Sequence, residues 1–117
     1  MYGQGRSRDR ALDPGFFAHE KGKAMQVTYQ ALTEIDIATA PAFREAMFEM
    51  IDWTDEPAVV IDCSAITFMD SSAFHALKDA NRHAIEHGHV LVLRGLRTNC
   101  LRLVRICDRR NEIAIES

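Results

Sequence analysis

The chain has 117 residues, of which 47% are hydrophobic and 26% charged, with a formal net charge of −3. This length fits one domain with its own core, and the composition excludes disorder throughout, collagen and a coiled coil. The longest apolar runs, at residues 58–61 and 90–93, are far shorter than the roughly 18 residues of a membrane span. No apolar stretch follows the N-terminal arginines, so we expect no secretory signal and a cytoplasmic location.

The charge is unevenly distributed along the chain. Residues 1–24 hold five basic and three acidic residues, a net charge of +2. Residues 25–93 hold three basic and eleven acidic residues, a net charge of −8. Residues 94–117 hold six basic and three acidic residues, a net charge of +3. Because the acidic middle would repel phosphates, we expect no direct nucleic-acid partner. It is consistent either with a basic protein partner or with a solvated acidic surface.

The N-terminal part predicts a flexible tail followed by two strands. Residues 1–13 show no periodicity and are rich in Gly, Arg, Ser and Asp, so we interpret them as a tail that precedes one domain at residues 14–117. Residues 16–19 predict a short strand, and residues 20–23 predict a hairpin turn. The next strand is predicted from alternating apolar residues, namely Met25, Val27, Tyr29 and Ala31.

The middle of the chain predicts a helix and then a buried strand. Thr39 is a suitable cap and Pro41 is tolerated in a first helical turn, so the helix is expected to begin there. Its buried face is predicted by apolar residues at helical spacing, namely Phe43, Ala46, Met47, Met50 and Ile51. The β-branched run at residues 58–61 then predicts a central strand covered on both faces.

The C-terminal half predicts two more helices, each followed by a strand. Residues 72–87 predict a helix that ends at Gly88, and residues 90–93 predict a buried strand. The inner face of that helix is expected to carry Phe74, Leu77, Ala80, Asn81, Ala84 and Ile85. A third helix, capped by Thr98 or Asn99, precedes a short strand at residues 113–115. The order β-β-α-β-α-β-α-β predicts an α/β fold in which a mixed β-sheet packs against helices.

Residues 66–73 (ITFMDSSA) carry the most informative pattern, because they leave a buried strand and enter a helix. Loops at the carboxyl ends of strands are the usual functional edge of α/β folds. Ser71 and Ser72 occupy the expected N-cap, where unpaired N–H groups and the helix dipole would accommodate a phosphate. Taken alone, the Asp-Ser-Ser triplet is a weak signal that is better explained by a plain helix cap.

Three segments in the expected order resemble STAS domains. Residues 34–41 (EIDIATAP) are similar to the G-E-L-D-x-x-T-A-P segment of that family, residues 59–73 to its strand and D-S-S-G loop, and residues 91–96 to its next strand and turn. The resemblance covers about residues 15–117. Two glycines of the family pattern are replaced, by Thr33 and by Ala73.

This resemblance implies a STAS-like fold and, for a stand-alone domain of this size, an anti-sigma factor antagonist of bacterial transcription. In such proteins the unphosphorylated domain binds a serine-kinase anti-sigma factor, the kinase phosphorylates the first serine after the Asp, and a PP2C-type phosphatase removes the phosphate. The matching acceptor here is Ser71, with Ser72 as the second choice. The resemblance also implies a partner-binding acidic site at Asp36 and Asp70, together with Ser72 and Thr39. The alternative is a STAS accessory subunit of a transporter or signalling assembly that has no phospho-switch.

The remaining motifs point to no catalysis. The sequence has no G-x-S-x-G elbow, so we expect no enzyme, and we expect no cofactor. His83, His87 and His89 are interpreted as an exposed helix face, so no metal is expected. If the STAS fold holds, Cys63 and Cys100 lie towards the same sheet edge, either as a redox-sensing disulfide or as two buried apolar-like thiols.

Overall fold

The computed structural model describes residues 33–116, together with the backbone of two N-terminal strands. The strands are β1 (Phe16–Ala18), β2 (Gln26–Gln30), β3 (Glu34–Ile35), β4 (Ala58–Asp62), β5 (Phe68–Met69), β6 (Val90–Arg94) and β7 (Ala114–Glu116). The helices are α1 (Ala40–Trp53), α2 (Ser71–Glu86) and α3 (Thr98–Cys107). The predicted tail at residues 1–13 and the predicted turn at residues 20–23 lie outside the described residues.

Five strands form the main sheet in the order β1-β2-β4-β6-β7. β1 is antiparallel to β2, and every other neighbouring pair is parallel. Parallel neighbours need crossover connections, and α1, α2 and α3 each lie in the connection between one such pair. The predicted mixed sheet packed against helices is therefore confirmed.

The core lies between this sheet and the helices. Val59 and Ile61 on β4 alternate onto the same face as Leu91 and Leu93 on β6, and all four are completely buried. The helices contribute further buried side chains to this cluster, among them Phe43, Met47, Leu77, Ala80 and Val104. Val60 lies on the opposite face of β4 and is also buried, as expected for a strand covered on both faces. None of the helices in the described part of the chain is long and apolar enough to cross a membrane.

A separate two-stranded parallel sheet, β3 with β5, was not predicted. Glu34 pairs with Phe68 and Ile35 with Met69, and the N–H of Asp70 donates to the carbonyl of Ile35 at 3.2 Å. Strands of two residues leave no periodicity in a sequence, because tertiary pairing alone defines them. This small sheet brings the ends of β3 and β5 together at one edge of the molecule.

The helix ends correct two predictions. α2 begins at Ser71 rather than Ser72, and Asp70, not a serine, is its N-cap. Neither Thr98 nor Asn99 caps α3, because its N-cap position is occupied by Arg97. The prediction for Gly88 is confirmed, since this glycine follows α2 with a φ of +81° that side-chain-bearing residues rarely adopt.

Two residues predicted to be buried are exposed. Ile85, in the last turn of α2, is 62% exposed, although the other predicted inner residues of that helix are buried. Val90, the first residue of β6, pairs with Ala58 of β4 but is 53% exposed, because it lies on the opposite face of the sheet from the buried Leu91 and Leu93. Periodicity therefore predicted the buried faces correctly in the middle of each element and failed at its ends.

Candidate functional site

The candidate site is the edge where β3 and β5 end and α2 begins. β5 ends at Met69, Asp70 caps α2, and Ser71 is the exposed first residue of the helix. Ser72 is half-buried. Ser71 is exposed, and its hydroxyl makes no hydrogen bond to the described part of the chain, so this group is accessible to solvent.

Asp70 is the side-chain N-cap of α2 as well as an acidic residue of the site. Its Oδ1 accepts a hydrogen bond from the N–H of Ser72 at 2.9 Å, which is the bond a side-chain N-cap makes. Its carbonyl oxygen accepts from the N–H of Ala73 at 3.0 Å and from that of Phe74 at 3.3 Å. Asp70 therefore fixes the first turn of α2, and with it the position of Ser71.

Asp36 occupies the corresponding place after β3 and turns its carboxylate back onto its own loop. Its Oδ1 accepts from the N–H of Ala38 at 2.9 Å, the N–H of Thr39 at 3.1 Å and the Oγ1 of Thr39 at 3.2 Å. These bonds hold the pKa of Asp36 below its ordinary value of 3.8, chiefly through the Thr39 N–H, against an opposing effect of desolvation. The carboxylate is therefore ionised at neutral pH.

Thr39 connects the end of β3 to the start of α1. Its Oγ1 accepts from the N–H of Asp36 at 2.9 Å, and its one hydroxyl proton is shared between the carbonyl oxygen of Glu34 at 2.9 Å and Oδ1 of Asp36 at 3.2 Å. Thr39 is the N-cap residue of α1, but its side chain makes no capping bond to that helix. Of the residues predicted for the acidic site, Thr39 thus acts by fixing the Asp36 loop.

Two exposed apolar residues flank these polar groups, and sequence reasoning missed both. Ile37, next to Asp36, is 78% exposed, and Phe68, two residues before Asp70, is 46% exposed. Phe68 alternates with the buried Met69, so the two-residue period of a strand could have predicted that Phe68 is exposed. Ile37 follows no period, because it lies in the turn between β3 and α1.

The replacement of a family glycine by Ala73 does not narrow access to Ser71. Ala73 is 0% exposed and belongs to the core cluster, so its methyl group points into the protein. The other replaced glycine is the exposed Thr33, whose carbonyl oxygen accepts from the N–H of Thr67 at 2.7 Å. That bond extends the β3–β5 pairing by one residue.

Cys63 and Cys100 are both buried free thiols. Burial raises the pKa of Cys63 to about 12, with further contributions from the charge of Asp62 and from Cys100, and burial also raises the pKa of Cys100. The Sγ of Cys63 donates to the carbonyl of Ile61 at 3.5 Å. Thiols of this kind react poorly, because the thiolate is the reactive form. The structure favours the buried-thiol interpretation over the disulfide.

In a comparison with protein families, the STAS domain matches residues 18–117 of this chain. A comparison with curated proteins finds no match. Three solved proteins illustrate the structural similarity. The anti-sigma factor antagonist SpoIIAA in its unphosphorylated form has a TM-score of 0.65 at 13% identity, covering 84% of this chain and 85% of its own. SpoIIAA from Bacillus in its phosphorylated form has a TM-score of 0.59 at 13% identity, and the match covers 84% of this chain and 88% of the SpoIIAA chain.

Two further similar structures are another anti-sigma factor antagonist and an anion transporter. An anti-sigma factor antagonist from Mycobacterium paratuberculosis has a TM-score of 0.65 at 23% identity, covering 86% of this chain and 82% of its own. The murine anion transporter Slc26a9 has a TM-score of 0.57 at 17% identity, covering 79% of this chain but only 16% of the transporter. At these identities the similarity establishes a shared fold.

Proposed function

The chain belongs to the STAS domain family, and on that basis we propose that it is a cytoplasmic anti-sigma factor antagonist. Unphosphorylated, it binds a serine-kinase anti-sigma factor, and phosphorylation of Ser71 by that kinase ends the binding. A PP2C-type phosphatase restores the active form. The chain is a protein-binding module and a kinase substrate rather than a catalyst.

The observation that carries this proposal is the placement of Ser71. A kinase must reach the acceptor hydroxyl, and Ser71 is exposed, whereas Ser72 is half-buried and its N–H is bonded to Asp70. Ser71 is therefore the better acceptor of the two. As the first residue of α2, it also lies where unpaired N–H groups and the helix dipole favour an anion. A phosphate on Ser71 can thus form without unfolding the helix.

The surface around Ser71 is suited to a protein partner. Ile37 and Phe68 supply exposed apolar contacts, and Asp36 and Asp70 supply negative charge. Interfaces commonly combine an apolar centre with a polar rim. Asp36 is tied to its loop by three hydrogen bonds, so this part of the surface is ordered before a partner arrives.

Phosphorylation would change this surface by charge and by bulk. A phosphate adds roughly −1.5 to −2 charges at neutral pH and three acceptor oxygens. The new charge would lie next to the capping carboxylate of Asp70 and on the same edge as Asp36. Loss of about 1.4 kcal/mol of binding free energy is a tenfold loss of affinity. The switch therefore needs no change of fold.

The test is a pull-down from a lysate of the source cells, with wild type, S71A, S71E and S72A as baits and phosphosites mapped by mass spectrometry. We expect phosphate on Ser71, retention of the kinase by S71A, and loss of at least about tenfold in retained kinase for S71E. S72A is the matched control, because it removes the neighbouring hydroxyl and should still be phosphorylated. Phosphate on Ser72 alone, or equal binding of S71E and wild type, would contradict the proposal.

A second candidate function is favoured by one comparison. The similarity to part of Slc26a9 shows that this fold also occurs within an anion transporter. In that case the chain would be an accessory subunit of a transporter or signalling assembly, and Ser71 would be only an exposed residue of α2. Absence of phosphate from both serines, with S71E retaining the same partners as wild type, would favour this function.

A further inference from the structure

Three potential metal ligands meet at the far end of the α1–α2 pair. Asp52 lies in the last turn of α1, and His83 and His87 lie one turn apart near the end of α2 and just beyond it. Each offers one ligand atom, and these atoms all lie within 4.8 Å of one another. His83 is twelve residues after Ser71, which is about 18 Å along a helix. The cluster is therefore separate from the Ser71 surface.

His83 is held rigidly in this cluster. Its ring stacks on Phe48 of α1, with centroids 4.1 Å apart and an interplanar angle of 16°. Its Nε2 lies 2.7 Å from Oδ1 of Asp52, and its side chain is only 19% exposed. The stacking fixes the plane of the ring, and the contact with Asp52 directs Nε2 at the carboxylate.

His87 is oriented by a backbone contact. Its Nδ1 lies 2.8 Å from the carbonyl oxygen of His83. Because a carbonyl oxygen only accepts, Nδ1 carries the proton, and the lone pair of the neutral ring is on Nε2. Metal-bound histidines typically donate their other N–H to a carbonyl or carboxylate in this way.

The geometry is close to what a transition metal requires. Zinc binds imidazole nitrogen and carboxylate oxygen at about 2.0–2.2 Å, so tetrahedral ligand atoms lie roughly 3.3 Å apart. The ligand atoms of His83 and Asp52 are 2.7 Å apart, and the other pairs lie within 4.8 Å of each other, so each pair reaches the tetrahedral spacing by a shift of at most about 1.5 Å. Two imidazoles and one carboxylate suit zinc and its first-row neighbours rather than calcium or magnesium. His89, grouped with these histidines from the sequence, is not one of the three residues whose ligand atoms come together in the described part of the chain; its Nδ1 bonds the carbonyl of Glu56 at 2.6 Å.

We propose that Asp52, His83 and His87 form a binding site for a divalent transition-metal ion such as Zn²⁺. The ion takes the position of the proton between Nε2 of His83 and Asp52. The bound His83 ring is then the neutral tautomer with its one proton on Nδ1, and a second proton, where the ring carries one, leaves to solvent. The three ligands come from two helices, so the ion fastens the end of α1 to the end of α2. Three protein ligands leave the remaining coordination position to water.

The test is calorimetric titration of Zn²⁺ into the full chain, with any affinity tag removed and the protein first treated with chelator. Wild type is expected to bind one ion per chain and to show a higher Tm with Zn²⁺. H87Q and D52N should each weaken binding at least about tenfold and lose the Tm increase. Both positions are exposed, so these variants should fold, which circular dichroism checks.

H75Q is the matched control, because His75 is an exposed histidine on the same helix outside the cluster. It should bind Zn²⁺ as wild type does. No saturable binding by wild type would mean that His83 and Asp52 form an ordinary ion pair, and it would overturn the proposal. So would equal affinities for wild type, H87Q and D52N, or an equal loss of affinity in H75Q.

Discussion

The two aspartates of the candidate site have different structural roles, although both were predicted only as acidic residues. Asp70 bonds forward to the helix that it caps, and Asp36 bonds forward into the turn that precedes α1. Each carboxylate therefore fixes the backbone next to an exposed residue, Ser71 in one case and Ile37 in the other. At this scale, the charge of the site and its rigidity come from the same atoms.

The Asp36 turn should make stability depend on pH. Because the folded state lowers the pKa of Asp36, the ionised carboxylate stabilises the protein above its ordinary pKa of 3.8, and this contribution is lost as pH falls through the lower, folded-state value. At pH 7 we expect the urea midpoint to be highest for wild type, lower for D36N and lowest for D36A, because Asn keeps an acceptor oxygen but carries no charge. The gap between wild type and D36N should narrow on acidification. A gap that stays constant down to the acid limit of folding would contradict this assignment.

The sequence identified the residues of the candidate site better than it identified their surroundings. Ser71, Asp36 and Asp70 follow from matching a pattern, and the structure places them on one edge. The exposure of Ile37 could not be predicted, because the residues of a turn do not alternate regularly between buried and exposed positions. Asp52 was missed as a possible ligand for a similar reason, since it is 31 residues from His83 and only helix packing brings them together.

Among the elements, α2 connects the two sites of interest. Its first turn presents Ser71 and its end presents His83, while the residues between them are anchored by a buried apolar face. The helix was predicted almost in full because its apolar residues recur at 3.6-residue spacing. Its cap was assigned incorrectly, since Asp, Ser and Ser are all good N-caps and only backbone geometry distinguishes them.

The capping role of Asp70 can be measured separately from partner binding. D70A should lower the free energy of unfolding by about 1 kcal/mol, within the range of roughly 0.5–2 kcal/mol for losing a side-chain N-cap. D70N should retain most of the stability, because an Asn oxygen can also accept from the N–H of Ser72. Urea denaturation at neutral pH makes the comparison. Equal stabilities for wild type and D70A would show that the bond at 2.9 Å contributes nothing.

At the scale of the whole molecule, one cluster of buried residues joins the sheet to the three helices of the described part of the chain. This follows from the order of elements, because each parallel pair of strands is bridged by a helix that must bury its apolar face on the sheet. The uneven distribution of charge along the sequence corresponds to differently charged surfaces in the fold. The acidic residues 34, 36 and 70 share the β3–β5 edge, whereas Arg102, Arg105 and Arg109 are exposed on α3 and just after it. The small net charge is thus the sum of differently charged surfaces.

The cysteines allow this single core to be tested. Cys63 and Cys100 belong to the cluster from different elements, whereas Cys107 is half-buried at the end of α3. In native buffer, iodoacetamide should label Cys107 first. Labelling of Cys63 and Cys100 should occur only through global unfolding, because both thiols are buried and their pKa values are raised.

The two slow rates should therefore rise together with urea, with the slope of the global transition, as followed by mass spectrometry of alkylated peptides. The rate at Cys107 should depend much less on urea, which makes it the internal control. If Cys63 were labelled as fast as Cys107, the core would open locally at the end of β4. If mild peroxide joined Cys63 to Cys100 in the folded protein, the pair would be a redox site instead of two packed core residues.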